Sequence, residues 1–120
     1  MSTRLLIVED SQLVTEAFTI LFTEAGYEVA SAGTVADGIA HGTSESVDVM
    51  LLDLTLPDGH GLEILEALRA RGSLPRVTLA MTGHNDPATR EKCLAAGCAE
   101  VMLKPVPIGG LLRRIERLLA

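Results

Sequence analysis

Five short apolar runs alternating with five amphipathic stretches predict an α/β domain built on a doubly wound parallel sheet. Three observations carry this. The strand-helix unit recurs every twenty-odd residues, roughly the length a right-handed βαβ crossover needs. The run over residues 47–52 is almost continuously apolar, which suits a strand covered on both faces. Capping residues, Pro or Gly punctuate most of the joins between runs and stretches.

Residues 4–8 form the first run, ending in Glu9 and Asp10. Leu13, Val14, Ala17, Phe18, Leu21, Phe22 and Ala25 then share one helical stripe, with Ser11 to cap its start and Gly26 its end. A weaker strand over 28–32 precedes a modest helix over 35–41, in which Val35, Ala36, Ile39 and Ala40 share a face and Gly42 is the stop. The third strand, over 47–52, carries Asp53 at its end. A Pro57-Asp58-Gly59 turn leads to a helix with Leu62, Leu65 and Leu68 inward and Glu63, Glu66 and Arg69 outward. Residues 76–81 make the fourth strand. Asp86 and Pro87 open a helix to about residue 96, closed by Gly97. A fifth strand over 101–103 precedes a terminal amphipathic helix marked by Ile108, Leu111, Leu112, Ile115, Leu118 and Leu119. Neither repeat nor linker interrupts the pattern, so a single domain over residues 1–120 is expected, with no output module behind it.

At 120 residues and 48% hydrophobic content, the chain can bury a core without staples. Its 16 acidic residues against 10 basic ones give a net charge of -6, which repels nucleic-acid backbones and acidic lipid. No nucleic-acid or membrane partner is expected. Neither a signal-peptide core nor a membrane span is present, which points to a soluble cytoplasmic protein. Cys93 and Cys98, five positions apart in a segment that reads as helix, turn away from one another around the axis. They are expected to be small core hydrophobes.

In a sheet of this kind ligands bind outside the carboxyl ends of the strands. The polar residues there are Glu9 and Asp10, Asp53, Thr82 and Lys104. Side-by-side first, third, fourth and fifth strands would gather all five on one rim. Two carboxylates ~4 Å apart repel by about 4 kcal/mol at an effective dielectric of 20, so three of them require a cation. Lys104 answers part of this, and an all-oxygen set with open positions suits Mg²⁺. Beside it, the Asp53 carboxylate is placed to act as a nucleophile toward a phosphoryl group, with Thr82 and Lys104 answering the charge on the transferred oxygens.

"LLIVED", "LLDLTLPDGHG", "AMTG" and "LKP", in order and over essentially the whole chain, resemble the receiver domain of two-component response regulators. The resemblance implies a flavodoxin-like sheet in the order 2-1-3-4-5. It also implies Asp53 as phosphoacceptor, Mg²⁺ held by Glu9, Asp10, Asp53 and the Thr55 main-chain carbonyl, and Thr82 and Lys104 on the phosphoryl group. The implied donor is a phosphohistidine on a sensor histidine kinase or a histidine phosphotransfer protein, docking on the first helix and the loops around Asp53. A downstream protein target would use the fourth helix, fifth strand and fifth helix. The chain itself would be a monomer or a phosphorylation-linked dimer, a switch or relay shuttle rather than an enzyme in its own right.

One position departs from the pattern: Val101 stands where receivers commonly carry Tyr or Phe. A stiff aliphatic side chain has no ring to rotate inward. The expected readout is instead a shift of Thr82 and the loop over 83–87, with His84 modulating hydrolysis of the acyl phosphate. Two rivals stay open on sequence: a phosphorylation-independent scaffold, and a haloacid-dehalogenase-like phosphatase, which would want an Asp where Thr55 stands. The isomer of the Lys104-Pro105 bond is also open.

Overall fold

The apolar runs pair as parallel strands in a computed structural model that describes residues 2–84 and 86–120. In chain order the elements are β1 (Arg4–Val8), α1 (Gln12–Glu24), β2 (Glu28–Ala32), α2 (Val35–Ser44), β3 (Val49–Asp53), β4 (Thr55–Leu56), β5 (Gly59–His60), α3 (Leu62–Ala70), β6 (Val77–Thr82), α4 (Pro87–Ala96), β7 (Glu100–Leu103) and α5 (Ile108–Leu119). The main sheet has the order β2-β1-β3-β6-β7, which is 2-1-3-4-5 when its five strands are counted alone. Val8 lies beside Leu52, and Leu52 beside Ala80, so the strand ends align along one rim.

Alternation along each strand divides the core into two layers. Leu6, Val8, Met50, Leu52 and Ala80 pack on Val35, Ile64, Leu65, Leu68 and Cys93 from α2, α3 and α4. Leu5, Ile7, Val49, Leu51, Leu79 and Met81 pack on Phe18, Phe22, Leu111 and Ile115 from α1 and α5. Every residue of β3 is buried, which is why its run reads as unbroken apolar sequence. Among the described residues no helix is long and apolar enough to cross a membrane.

Four details differ from the sequence expectation. The Pro57-Asp58-Gly59 turn sits at the tip of a small antiparallel hairpin, β4 with β5, in strands too short to show a period. Asp58 does more than turn: its carboxylate oxygens accept from the Val35 and Ala36 N–H groups at 2.7 and 3.1 Å, capping α2 from across the chain. Gly42 does not stop α2, which runs on to Ser44. A Cβ at Gly42 would lie 2.7 Å from Leu68 Cδ1, so the glycine is there to let α3 approach. Finally, α4 ends at Ala96 and Gly97, at φ 110°, folds the chain back so that Cys98 returns to Cys93. Both cysteines are core residues as expected, but they meet instead of diverging.

Candidate functional site

Glu9 follows β1, and its N–H donates to Ala32 O at 2.9 Å, extending the β1–β2 ladder and aiming its side chain along the rim. Only 3% of Glu9 is exposed. Its Oε2 accepts from the Ser11 N–H at 3.1 Å. Asp10, the next residue, is exposed. Asp53 ends β3 and is equally buried. Its Oδ1 accepts from the Thr55 N–H at 3.1 Å, and its Oδ2 accepts from Lys104 Nζ at 2.9 Å. Lys104 is placed by the end of β7, where its N–H donates to Thr82 O at 2.8 Å; the Lys104-Pro105 bond that follows is cis.

Lys104 Nζ also lies 2.9 Å from Glu9 Oε1. That approach is an ion pair without hydrogen-bond geometry, and Oε1 is buried with no hydrogen-bond partner. Burial pushes the Glu9 carboxyl above its usual range; Lys104 and the Ser11 N–H oppose the shift, while nearby Asp53 adds to it. Burial pulls the Lys104 ammonium down, but Glu9 and Asp53 together more than offset this and hold it above its usual value. The two shifts express one arrangement, a half-buried cation shared by two buried anions.

Glu9, Asp10 and Asp53 each offer an oxygen within 4.8 Å of the others. An oxygen-only set with one orphaned buried lone pair and one exposed carboxylate fits a hard divalent cation that keeps part of its water shell. Lys104 alone leaves that orphan unmet.

The two threonines make further hydrogen bonds of their own. Thr55 is at the rim beside Asp53, contributing its N–H to the carboxylate. Thr82 is buried at the end of β6, but its hydroxyl is engaged by its own loop: Oγ1 accepts from His84 N–H at 3.0 Å and donates to His84 O at 3.3 Å. The hydroxyl makes no hydrogen bond to Asp53 or Lys104 among those described. His84 is exposed, and part of the expected 83–87 readout loop, residue 85, lies outside the described residues.

Sequence reasoning missed Gly61. A Cβ there would lie 2.2 Å from the Asp53 carbonyl oxygen, and the Gly61 N–H donates to Leu54 O at 2.9 Å. The hairpin can press against the backbone behind Asp53 only because residue 61 lacks a side chain. The signal was present in the Gly-x-Gly after the turn, but nothing in a sequence says what a glycine approaches.

A flavodoxin-like sheet carrying a lysine-bridged acidic cluster at its carboxyl rim defines a class of doubly wound α/β domain with a charged site where such sheets bind their ligands. The chain belongs to the response regulator receiver domain family, whose sequence profile matches residues 5–116. It is similar to the KDP operon transcriptional regulatory protein KdpE of Escherichia coli, 31% identical over 114 residues covering 95% of this chain and 50% of the relative. It is likewise similar to the response regulator ArlR of Staphylococcus aureus, 32% identical over 117 residues covering 98% of this chain and 52% of that one. The chain thus spans about half the length of the curated relatives it matches. A CheY-like receiver domain structure from Methanospirillum hungatei superposes with a TM-score of 0.90 at 30% identity, covering 99% of this chain and 94% of the other. These findings place the protein among the receiver domains of two-component response regulators.

Proposed function

We propose that Asp53 is the phosphoacceptor of a switch or relay shuttle, loaded from a phosphohistidine on a sensor histidine kinase or histidine phosphotransfer protein. The observation that carries this is the Asp53 carboxylate itself: buried, yet held at the rim by Thr55 N–H on one oxygen and Lys104 on the other. A carboxylate oxygen attacks phosphorus, the phosphorus–nitrogen bond to the donor imidazole breaks, and the imidazole leaves with a proton. Lys104 balances charge on the transferred oxygens without moving far, because it already spans Asp53 and Glu9. Glu9, Asp10, Asp53 and the Thr55 carbonyl would hold Mg²⁺, which would supply Lewis-acid neutralisation of the phosphoryl oxygens.

Readout without an aromatic at residue 101 rests on Thr82. A new phosphoryl group competes for its hydroxyl, and that hydroxyl fastens the loop at His84 through two bonds. Releasing them frees the start of α4 to re-pack, biasing the face made by α4, β7 and α5 toward a downstream protein. A groove of about 460 Å³ lined by Leu13, Val14, Phe18, Met81, Pro105 and Ile108 reaches Glu9 and Lys104 and offers the phosphodonor an apolar seat at that edge of the site.

Acetyl phosphate with Mg²⁺ tests the reading by intact mass. The expected result is a gain of one phosphoryl group, absent in Asp53→Asn and reduced without the metal. Phosphate released with turnover would instead mark a phosphatase, and an unchanged mass a scaffold.

A further inference from the structure

We propose that Cys93 and Cys98 are a redox modification site, closing to an intramolecular disulfide across the C-terminal turn of α4 when the oxidant is a low-molecular-weight disulfide. The helix ends in a two-bond motif: Gly97 N–H donates to Leu94 O at 3.2 Å, and Cys98 N–H donates to Cys93 O at 3.0 Å. Such an ending sets the side chain of the outer bonded residue against the one just past the glycine, a contact usually made by two hydrocarbons. Here both are thiols, buried at 0% and 5% exposure and belonging to the same core layer. Disulfides bridge Cα atoms roughly 4.4–6.8 Å apart, and a direct backbone hydrogen bond of 3.0 Å brings the two residues close enough for that range to be in reach.

In the closed fold the pair is protected. Burial pushes the Cys98 thiol up to about 12, helped by Cys93. Burial raises Cys93 as well, while the S–H of Cys98 opposes the rise. Thiolates are the reacting species, so oxidation proceeds through opening of the last turn of α4. Little holds that turn shut. Cys93 is the buried residue of α4, Ala96 is only partly buried, and Leu94 is 47% exposed. Arg69 Nη2, bonded to Ala96 O at 2.7 Å, is the clasp from α3. Segments anchored this lightly open well below global unfolding.

The chemistry balances. The Cys93 thiolate attacks one sulfur of the oxidant R–S–S–R, forming a mixed disulfide and releasing R–S⁻, which takes up a proton. The Cys98 thiolate then attacks the Cys93 sulfur and expels the second R–SH. Two protein thiols lose two electrons and two protons, and the oxidant becomes two thiols. Product formation staples the end of α4 to the lead-in of β7.

The test uses the wild-type full chain in glutathione buffers of graded oxidation, acid-quenched and read by intact mass and non-reducing peptide mapping. Expected is a species lighter by two hydrogens, joining residues 93 and 98, reversed by dithiothreitol and melting several degrees higher than the reduced form. Cys98→Ala should stop at a glutathione adduct on Cys93. Glutathione adducts alone on the wild type, disulfide-linked dimers, free thiols in the most oxidising buffer, or closure only in denaturant would each overturn the proposal. The assay contains no phosphodonor, so its outcome is separate from that of Asp53 phosphorylation.

Discussion

Each end of the sheet gathers one cation and three carboxylates, yet only one end makes a site. At the amino-terminal rim Arg4 reaches Glu28 at 3.2 Å and Glu45 at 3.9 Å, and its N–H donates to Asp48 at 2.9 Å. At the carboxyl rim Lys104 stands among Glu9, Asp53 and Asp10. The residue types match; the solvent does not. The side chains of Arg4, Glu28 and Glu45 are 44%, 57% and 46% exposed, whereas those of Glu9 and Asp53 are 0% and 4%. Water answers the first cluster, and a pair of this kind is worth about 0–1 kcal/mol. The second has two backbone N–H groups and a single cation to answer it, so removing that cation leaves buried charge uncompensated.

The comparison is most exposed to Lys104→Ala, which should lower stability at pH 7 by about 3 kcal/mol in denaturant titrations. A loss no greater than that of Arg4→Ala would break it. The Lys104→Ala deficit should also shrink as pH falls. Glu9 carries a raised pKa, binds its proton more tightly in the fold than in the unfolded chain, and so gains stability for the fold as pH drops through its folded value.

Next in size is Gly61→Ala, where a Cβ meeting the Asp53 carbonyl forces the hairpin or the strand end to yield, at about 1–3 kcal/mol. Phosphorylation by acetyl phosphate should slow in parallel. Normal kinetics in that variant would show that the rim tolerates movement of residue 53.

Alkaline titration sharpens the contrast further. Lys104 is raised above 10.5, its two carboxylates outweighing burial, and Tyr27 is raised above 10.0 by burial and then by Glu116. Both groups hold their protons more tightly when folded. Their contribution is therefore complete below those unfolded values and is lost as pH climbs through the folded ones. Unfolding free energy followed by circular dichroism should fall steeply above about pH 10, less so in Tyr27→Phe. The smallest effect belongs to Arg4→Ala, about 0.5 kcal/mol and further reduced by added salt.

The five main strands and the rim residues Glu9, Asp10, Asp53 and Lys104 were legible in the sequence because burial on both faces writes itself as an apolar run, and each run ends in its polar residue. What escaped was set by tertiary approach. Gly42 looks like a helix stop, since glycine is a weak helix former, until Leu68 is seen lying against it. Asp58 looks like a turn residue until the two N–H groups it caps on α2 are in view. Thr82 stands at the end of its strand as the sequence expects, but only the backbone path at His84 shows that its hydroxyl is bonded to its own loop. The cysteine contact was within reach: Gly97 was recognised as the helix end, and residues on either side of such an ending meet.

The bare flank of α2 has a consequence for how motion is shared across the molecule. At Gly38 and Gly42 an added Cβ would collide with Ile64 and Leu68, so α3 is sunk into α2 like a key in its slot, and Asp58 pins the joint at one end. Close packing of this kind transmits strain, so displacing one of the two helices presses on the other. α4, seated in the same layer through Cys93 and the partly buried Ala96, has no glycine-lined slot of this kind, and it is the leaf freer to answer a rearrangement begun at the rim.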